Sequence, residues 1–137
     1  MDNKKALERL KNERGDGLAK ILIIDDEEPI ASLTQGRLQN HGYQASFALN
    51  GIEGFQKAQS EKPQLILLDI MMPGVDGYAV LKQLKSMPAT RHIPVIMFTA
   101  KSQIQNVNET IALGAIDYIV KPFNPEDLIE KIRLTIA

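Results

Sequence analysis

Lys20-Ile-Leu-Ile-Ile-Asp-Asp26 is a run of four apolar residues behind one lysine, closed by two aspartates. β-Branched residues dominate it and both faces are apolar, which predicts a short strand buried on both sides rather than a half-exposed hairpin strand. The pattern recurs. Leu65–Leu68 ends in Asp69, Val95–Phe98 ends in Thr99, and Tyr118–Val120 ends in Lys121. Gln44–Leu49 is a weaker, alternating strand candidate.

Helical patterns fill the intervals. Pro29 suits a first helical position, and Ile30, Leu33 and Leu38 with a stop at Gly42 mark about three turns. Ile52–Gln59 carries Ile52, Phe55 and Ala58 on one face. Asp76 can cap a third helix with Val80, Leu81 and Leu84 apolar. Ser102 can cap a fourth, ending before Gly114, a residue suited to the left-handed position past a helix end. Asn124 can cap a fifth, with Pro125 first and Leu128, Ile129, Ile132 and Ile136 as its buried stripe. Five βα units in sequence predict an α/β fold with an open parallel sheet covered by helices on both faces. A closed barrel would need eight.

The chain of 137 residues has room for one domain with a real core. Apolar residues make up 44% and charged residues 24%, as in an ordinary globular protein. A formal net charge of -1 gives no electrostatic reason to expect direct contact with nucleic acid or an anionic membrane. With no cysteine, disulfide scaffolds and thiolate metal sites are excluded, and the composition fits the cytoplasm. No apolar run approaches the ~20 residues of a membrane helix. Residues 1–17 stand apart as a charged extension or linker of partly helical character, with five basic and four acidic residues ended by Gly15-Asp16-Gly17. Residues 18–137 form the domain.

The polar residues fall where chemistry would use them. Asp25, Asp26, Asp69, Thr99 and Lys121 all lie at or just past a strand end. In an open parallel sheet those ends share one edge, and ligands bind in the crevice there. Crowded carboxylates repel unless a cation is present. A hard divalent cation such as Mg²⁺ suits one or two carboxylates with waters and phosphate oxygens. Thr99 and Lys121 could then hold two phosphoryl oxygens, and one carboxylate could act as nucleophile. Glu27 and Glu28 read more simply as acids favoured by a helix N-terminus. His41 and His92 lack metal-ligand spacing.

Four segments in order, Ile21-Leu-Ile-Ile-Asp-Asp-Glu-Glu-Pro29, Leu67-Leu-Asp-Ile-Met-Met-Pro-Gly-Val-Asp-Gly77, Val95-Ile-Met-Phe-Thr-Ala100 and Tyr118-Ile-Val-Lys-Pro-Phe123, resemble the receiver domain of two-component response regulators. The resemblance covers about residues 18–137. It implies a flavodoxin-like three-layer sandwich with strand order 2-1-3-4-5 and five helices. It implies that Asp69 takes a phosphoryl group from a phosphohistidine of a sensor histidine kinase or phosphotransfer protein, in a Mg²⁺-dependent step. Asp26, Asp69 and the Met71 backbone carbonyl would ligate the metal, and Asp25 would act through water. Thr99, Ala100, Lys121 and Tyr118 would bind the phosphoryl group or switch with it, and Pro122 would follow a cis peptide bond. The surface of the fourth helix, fifth strand and fifth helix would change shape, to be read by a downstream protein or fused output domain. Such a domain catalyses only its own phosphorylation and dephosphorylation.

Other classes fit less well. A phosphatase of the haloacid dehalogenase type needs an acid two residues after its nucleophile, and position 71 is methionine. A flavin carrier needs a hydroxyl-rich phosphate loop where this chain has Asp25-Asp-Glu-Glu28. A receiver reduced to a docking module would have lost Asp69 or Lys121. The alternative left standing is a receiver cut from a larger hybrid kinase or multidomain regulator. Ile116 stands where many DNA-binding regulators carry an acid used in dimer contacts, which weakens the case for their dimer mode, with a homodimer of another kind left open.

Overall fold

The computed structural model describes residues 19–72, 74, 76–100 and 107–136. The expected extension over residues 1–17 and the Ser102 cap lie outside the described residues. Strand β1 (Lys20–Ile24) is followed by α1 (Glu28–Asn40), β2 (Gln44–Ala48), α2 (Gly51–Glu61), β3 (Leu65–Asp69) and α3 (Gly77–Ser86). Then come β4 (Val95–Ala100), α4 (Val107–Ala112), β5 (Asp117–Lys121) and α5 (Pro125–Ile136). All strand pairings are parallel, in the order β2-β1-β3-β4-β5, as expected.

Period-2 alternation along the strands divides the core in two. Ile21, Ile23, Leu65, Leu67, Ile96, Phe98 and Ile119 pack with Ala31 and Leu38 of α1 and Leu128 and Ile132 of α5. Leu22, Ile24, Ile66, Leu68, Val95 and Met97 pack with Ala58 of α2 and Val80, Leu81 and Leu84 of α3. β3 is buried at every position, as a central parallel strand should be. β5 departs from the expectation of burial on both faces: only Ile119 is buried, because β5 is an edge strand.

Local signals explain the helix ends. Asn50 and Asp76 cap α2 and α3 through side-chain bonds from the amides of Glu53 and Ala79. Gly42 (φ 89) closes α1, with the Gly42 amide donating to the Gln39 carbonyl and the Tyr43 amide to that of Leu38. Gly114 (φ 112) closes α4 through the same pair of bonds, from Gly114 to Ile111 and from Ala115 to Thr110. Both are Schellman turns, which need a left-handed residue.

The helix faces differ from the apolar count. α1 buries Ala31, Thr34 and Leu38, while Leu33 is 57% exposed. α2 buries Gly51, Gly54 and Ala58, while Ile52 is 63% exposed. Small residues let these helices lie close to the sheet; Cβ on Gly54 would come within 2.7 Å of the Ile24 side chain. Thr34 tolerates burial because its hydroxyl donates to the Ile30 carbonyl at 2.7 Å.

Candidate functional site

The alternation that builds the core also aims the site. Counting by twos, Asp25 continues Ile21 and Ile23, Asp69 continues Leu65 and Leu67, and Lys121 continues Ile119. The three side chains therefore leave the sheet on the α1/α5 face at its carboxyl edge. There Lys121 Nζ donates to Asp25 Oδ2 at 2.7 Å and to Asp69 Oδ2 at 3.3 Å. Glu27 Oε1 is 3.7 Å from the same ammonium. Asp25 is fully buried and Asp69 nearly so. The Glu27 amide donates to Asp25 Oδ1 at 3.0 Å and the Met71 amide to Asp69 Oδ1 at 3.3 Å, so backbone donors fix both carboxylates.

The charges do not balance. One oxygen from each of Asp25, Asp26, Glu27 and Asp69 lies within 4.8 Å of the others, and among the described residues Lys121 is the cation paired with Asp25, Glu27 and Asp69. Burial pushes the Asp69 carboxyl up to about 6; Lys121 opposes this, Asp25 adds to it, and the Met71 amide opposes it. Lys121 is raised: burial works against its charge, but the bond it donates to Asp25 and the charges of Asp69 and Asp25 outweigh it. A cluster of four carboxylate oxygens with net negative charge is a hard, oxygen-only donor set, which fits Mg²⁺.

The backbone around Asp69 is fitted closely. The Gly77 amide donates to the Ile70 carbonyl at 2.9 Å, bringing the start of α3 onto the end of β3. A Cβ on Gly77 would collide with the Asp69 carbonyl oxygen and fall 2.7 Å from Ile70 Cα.

Other expected residues are placed apart from the ion pairs. Thr99 is buried at the end of β4, and its hydroxyl donates to the Ala100 carbonyl at 3.1 Å. Ala100 is exposed. Tyr118 is half-buried, with Lys131 Nζ 6.0 Å from its ring centre. The Lys121–Pro122 peptide is cis. The sequence reading missed Glu27, which has no side-chain capping bond and instead joins the acidic cluster. Its carboxylate two residues after Asp25 was the available signal.

The family model described as the response regulator receiver domain matches residues 21–133. Over 83% of its length the chain is 41% identical to the alkaline phosphatase synthesis transcriptional regulatory protein PhoP of Bacillus subtilis, covering 47% of that protein. It is 40% identical to the DNA-binding dual master transcriptional regulator RpaA of Synechocystis over 85% of its length, covering 48% of that protein. The chain thus spans about half the length of these curated relatives. Among solved structures, the Vibrio cholerae chemotaxis protein CheY4 superposes with a TM-score of 0.82 at 31% identity, covering 87% of this chain and 99% of that one.

Proposed function

The chain belongs to the response regulator receiver domain family of two-component signalling, and from that premise we propose that Asp69 is its phosphoacceptor and Lys121 the group that binds the phosphoryl product. The observation that carries this reading is the Lys121 ammonium held between the carboxylates of Asp25 and Asp69 at the sheet edge. With its pKa near 6, Asp69 is mostly ionised at neutral pH yet more basic than an ordinary carboxylate, which favours it as a nucleophile.

An Asp69 carboxylate oxygen forms a bond to the phosphorus of a phosphohistidine on a sensor kinase or phosphotransfer protein. The P–N bond breaks, and its electron pair leaves with the imidazole nitrogen. Water later cleaves the acyl phosphate, so the domain catalyses only its own phosphorylation and dephosphorylation. Asp26, Asp69 and the Met71 carbonyl would hold Mg²⁺, with Asp25 acting through water. When bound, the ion neutralises charge on the phosphoryl oxygens.

Phosphorylation replaces about one negative charge by roughly two. Lys121 then gains a stronger partner than the Asp69 carboxylate, and the Thr99 hydroxyl can exchange the Ala100 carbonyl for a phosphoryl oxygen. Ala100, which is small and exposed, leaves that approach open. Tyr118 follows, and the α4–β5–α5 surface shifts between pre-existing states. A downstream protein or linked domain reads that surface in the cytoplasm. Residues 18–137 make up this unit and residues 1–17 lie outside it.

The test is incubation with phosphoramidate and Mg²⁺, followed by intact-mass measurement. Wild type should gain one phosphoryl group and Asp69→Asn none. An unlabelled wild type, or an equally labelled Asp69→Asn, overturns the reading. A second reading is favoured by the coverage of the relatives: these residues are the receiving part of a longer regulator whose output lies elsewhere. An encoding reading frame that continues beyond either end of these residues into a further domain supports it, and one that spans residues 1–137 alone refutes it.

A further inference from the structure

Phe98 stands between the two strands that carry the reacting groups. In register it pairs with Asp69 on one side and Ile119 on the other. Its carbonyl accepts the Ile70 amide at 3.1 Å, one residue beyond Asp69. Its side chain is fully buried on the α1/α5 face, the face that Asp25, Asp69 and Lys121 share. The Lys121 ammonium lies 5.7 Å from the centre of its ring. The Phe98 ring is itself stacked by Phe123, two residues beyond Lys121, with centres 5.4 Å apart and planes at 20°.

We propose that Phe98 is a positioning residue for Lys121: its ring, braced by Phe123, fixes where the ammonium stands between Asp25 and Asp69. Lysine is a point charge on a flexible four-carbon stem, and holding it in one place costs rotamer freedom. An aromatic face attracts a cation, more strongly where water is excluded. The ring therefore limits the positions open to the ammonium beside the two carboxylates. Filling the core explains an apolar residue at 98 but not this function, since leucine would also fill much of the space.

The inference rests on the phosphoacceptor reading, and its test is a double-mutant cycle. Rates of phosphoramidate-driven, Mg²⁺-dependent phosphorylation are measured for wild type, Phe98→Leu, Lys121→Met and the double variant. Phe98→Leu should slow the reaction about three- to tenfold, the range a partly desolvated cation–π contact supplies. In the Lys121→Met background the same change should cost less than about twofold, because a residue acting through Lys121 has nothing left to position. Equal fold-losses in the two backgrounds, or no loss in the first, overturn the positioning role. If Phe98→Leu fails to fold by urea titration, Phe123→Leu at a half-buried position takes its place in the cycle, and Phe123→Tyr, which keeps the ring, should restore the rate. A wild type that is not labelled at all overturns the phosphoacceptor reading and this one with it. A labelled wild type with multiplicative losses overturns this one alone.

Discussion

Adding one methyl group at Gly77 should destabilise the protein, while the same addition at Gly36 should stabilise it. At Gly77 the new Cβ would fall 2.7 Å from Ile70 Cα and 2.8 Å from the Ile70 carbonyl oxygen, and would collide with the Asp69 oxygen. All three are backbone atoms of the segment leaving β3, so no side chain can swing away. Carbon atoms rest at ~3.5–4.0 Å, so α3 must back off by about 1 Å. Overpacking of this kind costs ~1–3 kcal/mol. Straining the Gly77-to-Ile70 hydrogen bond adds up to ~1 kcal/mol, and the helix preference of alanine returns at most ~1 kcal/mol. The net loss is about 2 kcal/mol, which at a urea slope of about 1.5 kcal/mol per molar lowers the midpoint by roughly 1–1.5 M. At Gly36, inside α1, nothing beyond the local backbone of the helix itself lies within 4 Å of the added Cβ. There alanine should gain ~0.5–1 kcal/mol and raise the midpoint by about 0.5 M. Urea titrations followed by circular dichroism measure both. A Gly77→Ala midpoint at or above wild type with unchanged slope would refute the claim that α3 is seated against the backbone of Asp69. If the claim holds, Gly77→Ala should also slow phosphorylation, because the peptide that moves carries the phosphoacceptor.

Three further outcomes follow from the same contacts. Asp69 has its carboxyl raised from 3.8 to about 6, so the folded state holds more protons than the unfolded one between those values. Stability of the metal-free protein should therefore fall, by at most ~3 kcal/mol, as pH rises from about 4 to about 6; chemical denaturation across that range in EDTA should show a slope that Asp69→Asn removes. Asp26→Asn should weaken Mg²⁺ binding about tenfold or more by calorimetry, since it takes one of four clustered carboxylates, while Glu53→Gln, remote on α2, should leave it unchanged. Lys85 Nζ donates to the carbonyls of Arg91 at 3.1 Å and Ile93 at 2.7 Å, so Lys85→Ala should lower stability by ~1–2 kcal/mol in urea titration without altering phosphorylation by more than its effect on folding.

The strands and their terminal polar residues were legible because each carries its signal within five or six residues. The Lys20–Ile24 strand, the strand ends at Asp69 and Lys121 and the two glycine stops at Gly42 and Gly114 are all local features. What eluded the sequence depends on fit between distant elements. Leu33 and Ile52 are large and periodic, yet Ala31, Gly51 and Gly54 face the sheet because close approach rewards a small side chain. The partners of Lys121 were legible as a set but not in rank: its shortest bond runs to Asp25, not to Asp69. Glu27 looked like an ordinary helix-start acid until the turn after β1 brought its carboxylate toward that ammonium.

The strand period also divides the work of the site between the two faces of the sheet. Asp25, Asp69, Phe98 and Lys121 belong to the α1/α5 face, where charge is gathered and the phosphoryl group would be held. Thr99, one residue beyond Phe98, continues Val95 and Met97 and so belongs to the opposite face, with α2 and α3. β4 thus presents neighbours of both faces on two consecutive residues, Phe98 and Thr99. On one face the Phe98 ring centre lies 5.7 Å from the ammonium, while on the other the Thr99 hydroxyl donates to the Ala100 carbonyl. A rigid strand buried at five of its six positions transmits a shift with little slack. On the proposed reading β4 would carry the coupling, so a substitution at Phe98 should change the response at Tyr118 even though the two side chains lie on opposite faces of the sheet. Fluorescence of the three tyrosines, compared with that of a Tyr118→Phe variant on addition of phosphoramidate, reads that response. An unchanged Tyr118 signal in phosphorylated Phe98→Leu would locate the coupling elsewhere.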